Sequence, residues 1–210
     1  MATLVLVRHG KSEWNKLGKW TGQTDVSLVE EGIQEARQAG EVIKDIHIDS
    51  VHVSTLKRAH ETFREIKAAL GRDDLEMKTH PALNERHYGI HTGKNKWHVK
   101  EEIGEEEFQR IRRSWDHPIP GGETMKDVHD RIVPYYKNHI LPELLAGQNV
   151  LVVAHGNSLR ALVKHLEEMS HEKLGSLEFG TGEVYCYDID ANGKVVGKEI
   201  RATNPEKLKV

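Results

Sequence analysis

Two distant stretches of the chain share one pattern. Leu4-Val5-Leu6-Val7 is a short apolar, β-branched run that stops abruptly at Arg8-His9-Gly10-Lys11-Ser12. Asn149-Val150-Leu151-Val152-Val153-Ala154 is a stronger run that stops at His155-Gly156-Asn157-Ser158. An apolar run this short, bounded by a glycine-containing polar segment, reads as a buried strand that hands its next residues to a loop at its carboxyl end. In open α/β sheets that edge is where ligands bind. One such loop is equally a polar cap on a strand; the pair is the stronger signal, because two central parallel strands would set their histidines side by side.

The sequence between and around them supplies the rest of an α/β fold. Ile33, Ala36, Ala39, Ile43 and Ile46 recur at helical spacing, so a crossover helix is expected from about Val29 to Ile46. Ile48 to Val53 alternates as a second strand, and Ser54 or Thr55 is a natural cap for a helix turning Leu56, Ala59, Phe63, Ile66 and Leu70 inward and ending at Gly71. That helix carries Arg58 in its first turn, where free amides and the helix dipole favour anions; taken singly, an arginine there is more commonly just an exposed residue of an amphipathic helix. Leu75 to Thr79 offers another short strand. A polar excursion from about 84 to 120 follows, with one helix near Val99 to Arg112 and the cations Lys94, Lys96, Arg110, Arg112 and Arg113, enough for an anion-binding lid, although such a run is more commonly a solvated face. After the breaker Pro118 to Gly122, a long helix is expected from Glu123 to Leu145, kinked or split by Pro134 and Pro142. A helix from Leu159 to Met169 follows the second histidine. Gly182 to Ile189 and Lys194 to Ile200 read as a closing hairpin across Asn192-Gly193. With no repeat, low-complexity segment or linker, residues 1–210 are expected to form one catalytic domain.

Charge narrows the choice of partner. Thirty Lys and Arg against 33 Asp and Glu leave a net charge of -3, which argues against a general nucleic-acid binder. An anion site must therefore be a local concentration of cations. No stretch is apolar enough to span a bilayer and the amino terminus lacks a signal-peptide pattern, so a cytoplasmic protein is expected. The single cysteine, Cys186, has no partner for an internal disulfide and lies in a strand-like stretch, where it reads as structural.

Arg8, His9, Arg58 and His155 come from three separate strand ends that a sheet would bring together. A transferring phosphoryl group spreads charge over three equatorial oxygens, which a ring of cationic donors stabilises without magnesium. No Walker-type loop, clustered Asp-x-Asp or His-Glu-x-x-His is present, and His87 and His91 flank Gly89 in a poor setting for a helical metal pair, so no metal is expected. A histidine nucleophile needs an unprotonated attacking nitrogen, and its leaving alkoxide needs a proton. Glu85, within the polar segment Asn84 to Tyr88, is the candidate donor.

The segment Leu6 to Asn15 resembles the signature of the histidine phosphatase superfamily. Thr21-Gly22, Leu83-Asn84-Glu85-Arg86-His87-Tyr88-Gly89, Gly93-Lys94-Asn95-Lys96, Arg112-Arg113-Ser114-Trp115-Asp116 and Ala154 to Arg160 narrow the likeness to the cofactor-dependent phosphoglycerate mutase family, over about residues 3 to 190. The resemblance implies an α/β three-layer sandwich with a mostly parallel central sheet flanked by helices. It implies that His9 becomes phosphohistidine, that Glu85 gives and takes the proton, and that Arg8, Arg58 and His155 hold the transferring phosphate with Ser12 and Asn15 nearby. Thr21, Gly22, Arg86, Tyr88, Lys96, Arg112, Arg113, Gly156 and Asn157 would position the rest of the ligand. The implied reaction interconverts 2- and 3-phosphoglycerate, primed by 2,3-bisphosphoglycerate and without metal.

Three departures from the family pattern stand out. Lys11 replaces the more usual Glu or Gln. Trp115 reaches Gly122 in seven steps, without an insertion associated with subunit contacts, which implies a monomer rather than a homodimer. Phe179-Gly180-Thr181-Gly182-Glu183-Val184 replaces Pro-Thr-Gly-Ile-Pro, and the tail that closes over the site in relatives is short. A phosphomonoesterase of the same superfamily is the competing reading, and a non-catalytic phospho-ligand scaffold the third.

Overall fold

Alternation along the first strand decides which side chain meets which layer. The computed structural model describes residues 1–204. In chain order they form β1 (Ala2–Arg8), α1 (Glu13–Lys16), α2 (Glu30–Glu41), β2 (Ser50–Val53), α3 (Lys57–Leu70), β3 (Met77–Thr79), α4 (Lys96–Ile103), α5 (Glu105–Arg113), α6 (Met125–Tyr135), α7 (Leu141–Leu145), β4 (Val150–Ala154), α8 (Gly156–Leu166), α9 (His171–Ser176), β5 (Val184–Ile189) and β6 (Val195–Ala202). The six strands make one sheet in the order β3-β2-β4-β1-β5-β6. The first four are parallel, and β5 and β6 add antiparallel.

Both faces of the sheet are covered. Leu4 and Leu6 join Val150, Val152 and Ala154 under Met125, Val128, Ile132 and Leu162 of α6 and α8. Val5 and Val7 join Leu151 and Val153 against Ala39, Ala59, Phe63 and Ile66 of α2 and α3. Leu4 to Val7 are fully buried, and burying each such side chain is worth roughly 1.5–3 kcal/mol. Cys186 sits in the same core; burial pushes its thiol up to about 12, consistent with a structural role. A third, separate cluster of Trp20, Val99, Phe108, Ile111 and Ile119 lies under α4 and α5, so the excursion rests on a small core of its own.

Several boundaries differ from the sequence expectations. The crossover helix ends at Glu41, and residues 42–46 form turns that still bury Ile43. Neither Ser54 nor Thr55 occupies the N-cap of α3; Leu56 does, because Ser54 Oγ is engaged with His155, and Asp25 Oδ1 accepts the Lys57 N–H at 2.6 Å instead. The helix expected near Val99 to Arg112 is two helices, broken where Gly104 takes a φ of 82° that disfavours any other residue. The long helix begins at Met125, capped by Thr124, and is divided by a π-helical turn at Tyr136–Ile140 between Pro134 and Pro142. The helix after the second histidine starts three residues early, at Gly156. In the hairpin, Asp190 N–H donates to Lys194 O and its carboxylate accepts from the amides of Asn192 and Lys194, a longer connection than a two-residue Asn-Gly turn. The tail beyond Asn204 lies outside the described residues.

Candidate active site

The β1–β4 register places Arg8 opposite Ala154, so the next residues of both strands emerge together. His9 and His155 accordingly stand with ring centroids 4.9 Å apart. His9 Nδ1 lies 2.7 Å from Gly10 O. A carbonyl only accepts, so Nδ1 carries the proton and Nε2 the lone pair. Arg58 Nε–H donates to that Nε2 at 3.3 Å. Burial, followed by the charges of Arg58 and Arg8, holds His9 well below the usual histidine range despite the Gly10 bond. The ring is therefore neutral, in one tautomer, with its lone pair at Arg58. His155 is also kept neutral, by burial and then Arg58, and its Nε2 is 2.7 Å from Ser54 Oγ.

The nucleophile loop is pressed directly onto a helix. A Cβ at Gly10 would lie 2.1 Å from Gly32 O, and one at Gly32 would lie 2.1 Å from Lys11 O, so both positions exclude any side chain. Gly10 N–H donates to Thr62 Oγ1 and Lys11 N–H to Glu35, which anchor the loop to α3 and α2. Arg58 is fixed just as firmly, donating to Thr24 O and Gly22 O at 2.9 and 2.8 Å. Burial lowers its pKa to about 10, which still leaves it charged at neutral pH. Arg8 donates to Phe179 O at 2.6 Å, and its guanidinium lies against Gly156.

Glu85 enters from the loop after β3. Its Oε1 accepts the N–H of Arg86 at 2.8 Å and that of Asn157, in the first turn of α8, at 3.2 Å. Its carbonyl is held by Gln23 and Arg131, each at 3.2 Å, while Asn84 Oδ1 accepts from Thr55 at the approach to α3. The carboxylate thus has its position set by three elements, with Oε2 left for another partner.

Beyond His9 and Glu85 the cleft, about 690 Å³ of open space, continues between α8 and the excursion. Asn157 Nδ2 donates to Tyr88 Oη at 2.7 Å, and Arg160 donates to Asn157 Oδ1 at 2.8 Å. The Tyr88 ring leans on Trp20, 4.4 Å between centroids, and Lys96 Nζ stands 6.0 Å over the same indole. Burial, then Arg8 and Arg112, lowers Lys96 to about 8. Arg113 is ion-paired with Glu178, whose carboxylate is also 4.0 Å from Arg112. Seven cations (Arg8, Lys19, Arg58, Lys96, Arg112, Arg113, Arg160) and two carboxylates (Glu85, Glu178) line the cleft. In a chain of net charge -3 this is a strong local surplus, suited to an anion with charged groups at both ends. Arg8 Nε and Thr21 Oγ1 are buried there without a hydrogen-bond partner, which also fits a polar ligand.

Of the sequence-predicted residues, all but Ser12, Arg86 and His155 line this cleft. Ser12 caps α1, bonded to Asn15 in both directions, and shapes the loop that presents Asn15. His155 backs His9. Arg86 is not among the lining residues: it donates to Glu123 O and Ile111 O at 2.6 and 2.8 Å, tying the end of α5 to the residues just before α6, with its guanidinium 5.7 Å from the Tyr88 ring and its Nη2 buried without a hydrogen-bond partner. Sequence reasoning passed over Lys19, Trp20, Arg160, Glu178 and Phe179 as lining residues. Arg160 was detectable, since three residues past Asn157 on a helix it shares that face. Phe179 opens the segment that departs from the family pattern but was not assigned to the cleft, and Glu178, just before it, was not singled out. His87 accepts from Gly89 N–H through Nδ1, and His91 is buried beside Trp20, so the two serve the excursion's structure.

The comparisons agree with this geometry. Residues 4–199 match the histidine phosphatase superfamily (branch 1). The 2,3-bisphosphoglycerate-dependent phosphoglycerate mutase of Parvibaculum lavamentivorans is 47% identical over 199 residues, 94% of this chain and 95% of that one. The phosphoglycerate mutase of Schizosaccharomyces pombe is 44% identical, with 94% of each chain covered. Among solved structures, the α-ribazole phosphatase of Shigella flexneri superimposes with a TM-score of 0.81 at 25% identity, covering 95% of this chain and 96% of that one. With a full-length family match and relatives this similar, the chain belongs to the histidine phosphatase superfamily and, within it, to the phosphoglycerate mutases.

Proposed function

We propose that this chain interconverts 2- and 3-phosphoglycerate through a phosphohistidine at His9, with Glu85 as proton donor and acceptor. The observation that carries the reading is the neutral His9, its Nδ1–H committed to Gly10 and its Nε2 lone pair at Arg58, at the head of a cleft that also holds Glu85 and the far cations.

His9 Nε2 attacks phosphorus as the P–O bond to the sugar-acid carbon breaks, and the departing oxygen takes a proton from the Glu85 carboxyl group. In the reverse direction Glu85 removes the proton of a hydroxyl group, whose oxygen attacks the phosphorus on His9 and frees Nε2. Arg8 and Arg58, with the amides at the start of α8, hold the equatorial oxygens, where charge is spread in the transition state. His155, neutral and buried behind His9, adds a hydrogen-bond donor or acceptor without another full charge. Thr21, Tyr88, Lys96, Arg112, Arg113 and Asn157 hold the carboxylate and second anionic group. 2,3-Bisphosphoglycerate supplies the first phosphoryl group. Its two phosphates and carboxylate suit a cleft with cations at both ends and unpartnered polar atoms at Arg8 and Thr21. No described helix is long and apolar enough to cross a membrane; the reading places the enzyme in the cytoplasm, acting as a monomer on a small-molecule substrate.

The test is turnover of 3-phosphoglycerate with and without 2,3-bisphosphoglycerate, in the presence of a metal chelator, recording 2-phosphoglycerate and free phosphate together. Bisphosphate-dependent 2-phosphoglycerate that survives the chelator is the expected result. Free phosphate alone would make the protein a phosphatase.

A further inference from the structure

The far end of the cleft contains an acid that a site for polyanions does not obviously need. Glu178 lies in the segment between α9 and β5, with its side chain 15% exposed and its carboxylate on Arg113 and 4.0 Å from Arg112. The same charge bears on Lys96 and Arg160, so it serves as counter-ion to four of the seven cations. The next residue is engaged at the other end, since Phe179 O accepts from Arg8 at 2.6 Å. One dipeptide therefore touches both Arg8, next to His9, and Arg112 and Arg113 on α5. Its backbone is held from below: Gly180 N–H donates to the fully buried Glu183 carboxylate, and Gly182 N–H to Arg8 O. None of those anchoring bonds involves the Glu178 side chain.

We propose that Glu178 is a specificity-determining residue that acts as an internal competitor, its carboxylate standing on Arg112 and Arg113 until the distal anionic group of a ligand displaces it. This inference rests on the functional reading above, in which the reacting phosphoryl group meets His9 and the remaining anionic groups reach Arg112 and Arg113. Two consequences follow from Coulomb's law. Every ligand with a distal anion binds against a contact already made, so its affinity is lower than the cation count suggests. After displacement the carboxylate remains nearby and repels charge, so the penalty grows with the charge at that end. A phosphate ester lacking a distal anion does not meet Glu178.

The experiment compares wild type with Glu178→Gln and Glu178→Asp. Three quantities are read: the concentration of 2,3-bisphosphoglycerate that half-activates the mutase, KM for 3-phosphoglycerate, and KM for p-nitrophenyl phosphate hydrolysis. In Glu178→Gln the first two should fall, the bisphosphate constant about tenfold, while the p-nitrophenyl phosphate KM stays within about twofold. Glu178→Asp, which keeps the charge, should remain near wild type. A merely structural role would move all three constants together and would be disturbed by both variants. Unchanged bisphosphate activation in a folded Glu178→Gln enzyme, or weaker activation, overturns the proposal while leaving the mutase intact. Failure of the wild type to form 2,3-bisphosphoglycerate-dependent 2-phosphoglycerate overturns the functional reading instead, and the two failures are separable in one set of assays.

Discussion

The two ends of the cleft are built by different means. Around His9 the groups stand at the ends of β1, β2 and β4, buried, held by main-chain carbonyls and amides, and pressed on a helix through Gly10 and Gly32. At the other end Lys96, Arg112 and Arg113 ride on α4 and α5, which rest on the separate cluster of Trp20, Phe108 and Ile111. There Arg112 and Arg113 face the Glu178 carboxylate, and Lys96 and Arg112 stand over the rings of Trp20 and Phe108. On the functional reading above the contrast is a division of labour: main-chain bonds at the sheet edge position the reacting groups, while the excursion supplies cations whose partners are side chains.

Removing the nucleophile tests the first half most severely. His9→Ala should abolish both 2-phosphoglycerate formation and phosphohistidine labelling; residual turnover above a few per cent of wild type would take the nucleophile role away from His9. Glu85→Gln should slow turnover by ~10²-fold or more with substrate affinity preserved, and a near-normal kcat would reassign the proton donor. Phe108→Ala addresses the second half. Emptying its place under α5 should loosen the far cations and raise KM for phosphoglycerate about tenfold, with kcat largely kept, whereas the truncation of a buried aromatic in a core common to the whole molecule would cost ~3–5 kcal/mol of global stability. A single cooperative loss of stability on that scale, without the KM change, would merge the two regions into one. The mildest test uses pH. Lys96 is charged below about 8 and an anion favours its charged form, so KM should be level below that pH and climb above it, by up to about tenfold per unit. Lys96→Arg, which stays charged, should flatten the climb. A climb that persists in Lys96→Arg would place its origin elsewhere.

The same contrast explains what could be read in advance. Strand-end residues are legible because a short apolar run followed by a polar glycine-containing loop has few structural interpretations; both His-Gly segments stood out on that ground, whereas Arg58, in the first turn of α3 after a strand with no glycine behind it, was placed at the phosphate by the family resemblance. The parallel pairing of β1 with β4 also followed, since both runs are apolar on each face. Boundaries were less legible where side chains found partners far away in sequence. Ser54 gave up its capping role to His155, and Asp25 capped α3 from 32 residues away. Gly104 divided a helix that periodicity joined, because one left-handed residue outweighs the pattern around it. Glu178 was missed for a different reason: it stands just ahead of the Phe179 to Val184 segment that drew attention, and its own meaning comes from Arg112 and Arg113, more than sixty residues earlier. Arg86, placed at the ligand by resemblance, also has a structural task that only the fold reveals: it holds two backbone carbonyls, of Ile111 and Glu123.

The pairing of β1 with β4 has a bearing on synthesis. Leu4 and Val150 are 146 residues apart in the chain, and no earlier strand can stand beside β1, whose neighbours are β4 and β5. Closing that span carries the entropy cost of a long loop, which grows only slowly with length but must be met before the contacts reward it. At ribosomal rates of roughly 5–20 residues per second, His9 is exposed for many seconds before His155 and the first turn of α8 exist. During that interval the nascent chain carries a solvated histidine with an ordinary affinity for protons, and no lone pair fixed at a guanidinium. On the functional reading above, phosphoryl transfer at His9 therefore waits for the sheet to be completed by β4.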